Sequence, residues 1–132
     1  MPSRLATLAI DALDPERVAQ FWCAVLDWTV IERDEGIVSI APTGGADGPG
    51  LTIDVIEVPE HKTVKNRLHL DLKSDGDLKT DGSTEVEELA RLLELGARKV
   101  DVGQPEDATW VVLADPEGNE FCLLLPRPVG EL

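Results

Sequence analysis

Asp14-Pro15-Glu16-Arg17-Val18-Ala19-Gln20-Phe21-Trp22-Cys23-Ala24-Val25-Leu26 carries both a helix start and a buried face. Asp14 can accept from the free amides of the first turn, Pro15 suits the first helical position, and Glu16 faces the positive end of the dipole. Val18, Phe21, Trp22, Val25 and Leu26 recur at i, i+3, i+4, i+7 and i+8, one apolar stripe that must lie on something hydrophobic. Upstream, Leu5-Ala6-Thr7-Leu8-Ala9-Ile10 reads as a strand. Downstream, Trp28–Glu32 and Ile37–Ala41 read as strands joined by the turn Arg33-Asp34-Glu35-Gly36. Thr43–Gly50 reads as a glycine-bearing loop, and Leu51–Val58 as the closing strand before Pro59.

The same order then recurs. Arg67–Lys73 alternates Leu68, Leu70 and Leu72 with polar residues and reads as a strand covered on one face. Asp75–Gly82 reads as a loop, and Thr84 with Glu87 as a capping box. The second helix presents Val86, Leu89, Ala90 and Leu93 and is closed by Gly96. Arg98–Val102, Trp110–Ala114 and Glu120–Leu125 read as three more strands, the last two joined by Asp115-Pro116-Glu117-Gly118-Asn119. Two β-α-β-β-β units in tandem define an α+β fold, and repetition is a stronger signal than either half alone. The expected boundary lies within Pro59–Asn66, with module one at about 4–58 and module two at about 67–126 of a single 1–132 domain.

Composition narrows the partners. The 132 residues include 26 Asp and Glu against 12 Lys and Arg, a formal charge of −14. That field repels phosphate backbones and anionic lipid, so neither nucleic acid nor a membrane surface is an expected partner. It favours solubility first and a cationic small-molecule ligand second. The apolar run Leu5–Ile10 is too short for a signal-peptide core or a membrane span. Two cysteines, Cys23 and Cys122, have neither metal-motif spacing nor disulfide-scaffold density. A cytoplasmic setting is the simplest expectation.

Asp14-Pro15-Glu16-Arg17, Phe21-Trp22, Leu26-Asp27-Trp28, Asn66–Leu72, Leu95-Gly96-Ala97 and Trp110–Cys122, in that order, resemble the vicinal oxygen chelate superfamily. The resemblance is to its glyoxalase-like and bleomycin-resistance-like branch. It implies a glyoxalase/bleomycin-resistance-type fold whose curled mixed sheets form a cup, a divalent metal in that cup acting as a Lewis acid, and a homodimer. The implied ligand positions fall at Leu5, His69 and Cys122. Leu5 has no donor atom, and its neighbours Arg4 and Ala6 offer nothing better. His69 is a competent ligand, and Cys122 is a soft one that favours zinc over the metals of oxygen-rich sites.

The expected cofactor is therefore none, or a weakly bound divalent metal at His69. His69, Cys122 and Trp110 are the expected ligand-binding residues: an imidazole able to hydrogen-bond a ligand or Asp71, a small thiol, and a flat apolar wall. Asp11, Asp54 and Glu57 read as weak candidates, and His61 as a solvent-facing linker residue. The reading favours a small-molecule-binding protein with an eroded metal site. The alternative is a metal-dependent lyase, isomerase or dioxygenase of the superfamily, with glyoxalase I activity itself not expected. Fold and family do not specify the ligand.

Overall fold

The computed structural model describes residues 2–43, 50–74 and 83–131. The chain divides into two compact units, Met1–His61 and Lys62–Leu132. The first runs β1 (Thr7–Ala12), α1 (Pro15–Leu26), β2 (Trp28–Asp34), β3 (Ile37–Pro42) and β4 (Thr52–Glu57); the second runs β5 (Asp71–Leu72), α2 (Ser83–Glu94), β6 (Arg98–Lys99), β7 (Trp110–Ala114) and β8 (Glu120–Leu124). Each unit is thus β-α-β-β-β. The sheets share one topology, β1-β4-β3-β2 and β5-β8-β7-β6, with the first pair of each parallel and the others antiparallel. This is the mixed, open-sheet α+β class the sequence implies.

In the first unit α1 forms as its sequence dictates. Asp14 accepts from the Arg17 amide at 3.2 Å, and Pro15 occupies the first turn, where its missing N–H costs nothing. Val18, Phe21, Trp22 and Val25 are buried, with Phe21 and Trp22 edge-to-face at 5.2 Å between ring centroids. Beneath them the sheet supplies Val38, Ile40, Ile53 and Val55, all buried. The helix stops at Asp27, a left-handed residue (φ 56°) whose amide donates to the Cys23 carbonyl.

The second unit departs from expectation in three places. Only Asp71 and Leu72 of the expected 67–73 strand pair, in register with Cys122 and Leu123, and Leu68 is 83% exposed. The register bounds the strand: counting back, Leu70 falls opposite Phe121, His69 opposite Glu120 and Leu68 opposite the turn before β8, so no ladder extends beyond His69. Only the Cys122 amide, donating to the Leu70 carbonyl at 2.9 Å, extends the pairing.

The second departure is the covered face of α2. Leu92 is its buried residue, with Glu85, Glu88 and Leu89 half-buried beside it, whereas Val86 and Leu93 of the expected stripe are exposed. Glu88 is tolerated there because Arg91 holds both its oxygens, at 2.7 and 2.8 Å. Third, the helix runs from Ser83, one residue before the expected cap Thr84. The residue before Ser83, the 75–82 loop and residues 44–49 of the glycine-bearing loop lie outside the described residues.

The turn between β7 and β8 is built on Asp115, fully buried. Its Oδ1 accepts from the amides of Glu117 (2.9 Å) and Asn119 (3.0 Å), and its Oδ2 from Asn119 Nδ2 at 2.9 Å. Gly118 sits at φ 90°, a conformation that favours glycine. The motif is therefore structural: a buried carboxylate saturated by local N–H groups fixes where β8 begins.

Candidate functional site

Strand alternation builds one wall of a cavity. On β8, Phe121 and Leu123 are buried on the core side, which places Glu120, Cys122 and Leu124 on the opposite face. On β7, Val111 and Leu113 are likewise buried, and Trp110 and Val112 share the face of Cys122. The register sets Trp110 opposite Leu124 and Val112 opposite Cys122. Together with Lys65, His69, Asp71 and the loop Val102–Gln104, these residues enclose a cavity of about 350 Å³. Gln104 braces that loop, its Oε1 accepting from the Val102 amide at 2.9 Å.

His69 and Asp71, two residues apart, share one side of an extended segment beside β8. His69 Nδ1 lies 2.7 Å from Asp71 Oδ1 and 4.0 Å from Cys122 Sγ. The two side chains are 40% and 46% exposed, while Cys122 is buried. Burial first, then the charge of Asp71 and a hydrogen bond to it, push the Cys122 thiol up to about 11, with Lys65 pulling weakly the other way. The thiol is therefore neutral at physiological pH and unsuited to nucleophilic work.

Glu120 closes the far end. Its carboxylate accepts from Lys62 Nζ at 2.8–2.9 Å and from the Asn66 amide at 3.0 Å. This tethers the segment that carries Lys65 and His69 to the start of β8. Lys65 Nζ itself donates to the Asn66 carbonyl at 3.1 Å.

The structure thus brings His69, Cys122 and Trp110 to one cavity, all on the second unit. Asp71 joins them as a donor; its sequence signal was its shared parity with His69. Leu5 is 74% exposed, precedes β1 and belongs to the other unit. Asp54 is engaged by Ser39 Oγ at 2.7 Å, and Asp11, Glu57 and His61 are exposed. Among the described residues, His69, Asp71 and Cys122 are the group of three metal-competent side chains, with donor atoms all within 4.8 Å of one another.

The glyoxalase-like domain family model matches residues 7–124. No curated protein sequence matches the chain. Several solved structures share its fold. One is a mutant of the genomically encoded fosfomycin resistance protein FosX from Listeria monocytogenes, complexed with Mn(II) and 1S,2S-dihydroxypropylphosphonic acid. It has a TM-score of 0.66 and 14% identity over 94% of this chain and 90% of that one. A glyoxalase/bleomycin resistance protein/dioxygenase family enzyme from Burkholderia phytofirmans PsJN gives 0.66 and 18%, over 92% and 97%. FosX from Mesorhizobium loti gives 0.65 and 14%, over 94% and 92%. No described helix is long and apolar enough to cross a membrane.

Proposed function

Because the chain belongs to the glyoxalase-like domain family, we propose that it binds a small organic molecule in the cavity of its second unit. One observation carries this reading: a cavity of about 350 Å³ walled by Trp110, Val112 and Leu124 with His69, Asp71 and Cys122 at hand. That size and mix of apolar wall with a few convergent polar groups is what small-ligand sites have. Trp110 offers a flat face, His69 one hydrogen bond through the nitrogen Asp71 does not engage, and Asp71 a half-exposed carboxylate. With the net charge of −14, that carboxylate favours a cationic or polar ligand over an anion. The two units are halves of one domain on this reading, since one family model spans 7–124.

A thermal-shift screen of small aromatic amines and polar heterocycles tests it. At least one compound raises the melting temperature of the wild type, and His69→Ala weakens that shift more than it lowers the melting temperature of the free protein. A screen in which nothing stabilises the protein, or hits indifferent to both His69→Ala and Trp110→Ala, would remove this reading.

A second reading, a metal-dependent lyase, isomerase or dioxygenase, is favoured by the His69–Asp71–Cys122 cluster alone. A bound divalent ion would supply Lewis-acid polarisation of a substrate oxygen. The protein's own contribution would be to hold that oxygen against Trp110 and to exclude water with Val112 and Leu124.

A further inference from the structure

We propose that the second unit carries a self-contained zinc site formed by His69, Asp71 and Cys122, in which Asp71 supplies the donor that Leu5 lacks. This goes beyond the ligand-binding reading and does not depend on it.

The argument starts from backbone register. Asp71 on β5 and Cys122 on β8 are direct partners in a parallel ladder, and His69, two residues before Asp71, brings its ring to the Asp71 carboxylate. Adjacent strands run about 4.8 Å apart, so three side chains placed this way must converge. They do: His69 Nδ1 is 2.7 Å from Asp71 Oδ1 and 4.0 Å from Cys122 Sγ, and all three donors fall within 4.8 Å.

Zinc bonds of about 2.0–2.3 Å to nitrogen, oxygen and sulfur imply donor–donor spacings of roughly 3.3–3.7 Å. The observed distances bracket that range, and the half-exposed His69 and Asp71 have room to adjust around Cys122, whose backbone is fixed in the ladder.

Donor chemistry then selects the ion. One imidazole, one carboxylate and one thiolate suit borderline zinc, whereas manganese and magnesium prefer all-oxygen shells. Three protein ligands leave a fourth position open towards the cavity, the pattern of zinc sites that take water or a substrate. Charges around the site are Asp71 and Glu120 against Lys65 and Lys62. Glu120 is paired with Lys62, which leaves Asp71 and the thiolate formed on binding to face Lys65 and the metal.

The test uses the whole chain, stripped with a chelator and desalted. Zinc in competition with a chromophoric chelator binds at one equivalent, and cobalt(II) in its place gives a near-ultraviolet thiolate-to-metal absorption. Cys122→Ser abolishes that absorption and Asp71→Asn retains it, while each weakens zinc at least about tenfold. Leu5→Ala changes neither, and circular dichroism verifies that each variant is folded. The proposal is overturned if zinc fails to bind, if manganese binds more tightly, if the absorption persists in Cys122→Ser, or if Asp71→Asn binds zinc as the wild type does. The stripped protein, screened with the same organic compounds, reports on ligand binding separately, so either reading can fail alone.

Discussion

Lys62 Nζ reaches across 58 residues of sequence to the Glu120 carboxylate, at 2.8–2.9 Å from its oxygens, and both side chains are less than one-fifth exposed. Burial, the largest influence on Glu120, would push its carboxyl up. The Lys62 ammonium, the Asn66 amide and Glu120's own amide outweigh it and hold the carboxyl below its ordinary value of 4.5. A depressed carboxyl contributes stability that is present above the unfolded value and is lost as pH falls through the folded one.

Glu120→Gln therefore costs on the order of 1–2 kcal/mol at pH 7, a buried-pair penalty discounted for residual solvent. The difference from wild type narrows below pH 4.5. Chemical denaturation at pH 7 and in acid measures both. An equal gap at the two pH values would show that the pair's charge contributes nothing.

Trp22 is 1% exposed and packs edge-to-face on Phe21 beneath α1. Trp22→Ala leaves an indole-sized cavity in the first unit's core and destabilises by roughly 3–5 kcal/mol. Trp22→Phe recovers part of that loss, because a smaller ring still fills much of the space between α1 and the sheet. Urea midpoints of the two variants rank them, and an alanine variant within about 0.5 kcal/mol of wild type would contradict this core assignment.

The elements most legible in the sequence were those whose determinants are local. Asp14, Pro15 and Glu16 specify the start of α1 within a few residues, and Asp115 to Asn119 close their own turn. The elements misplaced are those decided elsewhere. How far 67–73 can pair is bounded by where β8 starts, which the turn built on Asp115 sets much further along the chain. Which face of α2 is covered depends on the sheet beneath it: Leu92 and Leu93 are neighbours in sequence, and periodicity alone chose the wrong one. The sequence ties Asp71 to His69, through shared parity and hydrogen-bonding chemistry, but not to Cys122, because that closeness is a property of the β5–β8 register.

Asp27 ends α1 at φ 56°, where a side chain other than glycine is strained, and its charge sits at the negative end of the helix dipole. No basic residue in the last turn offsets it. Asp27→Gly is thus expected to stabilise the protein by about 0.5–1 kcal/mol, and Asp27→Asn by a few tenths. A melting temperature lowered by the glycine variant would show that the Asp27 side chain makes a compensating contact.

Cys122 combines burial with a carboxylate neighbour, so its thiol, at about 11, stays protonated well past neutrality. At pH 8 that leaves a thiolate fraction on the order of one in a thousand, against roughly a quarter for an ordinary thiol near 8.5. Iodoacetamide at pH 8 should therefore modify Cys122 at least about a hundredfold more slowly than free cysteine, with peptide mapping separating it from Cys23. Asp71→Asn removes the two causes that follow burial, a nearby negative charge and its hydrogen bond, and leaves burial in place. Labelling of Cys122 in that variant accelerates without reaching the free-thiol rate. Rapid labelling of the wild type would place the thiol in a more polar, more open setting than β8 gives it. An unchanged rate in Asp71→Asn would mean that burial alone controls the thiol, and that the Asp71 carboxylate does not act on the sulfur from its place beside His69.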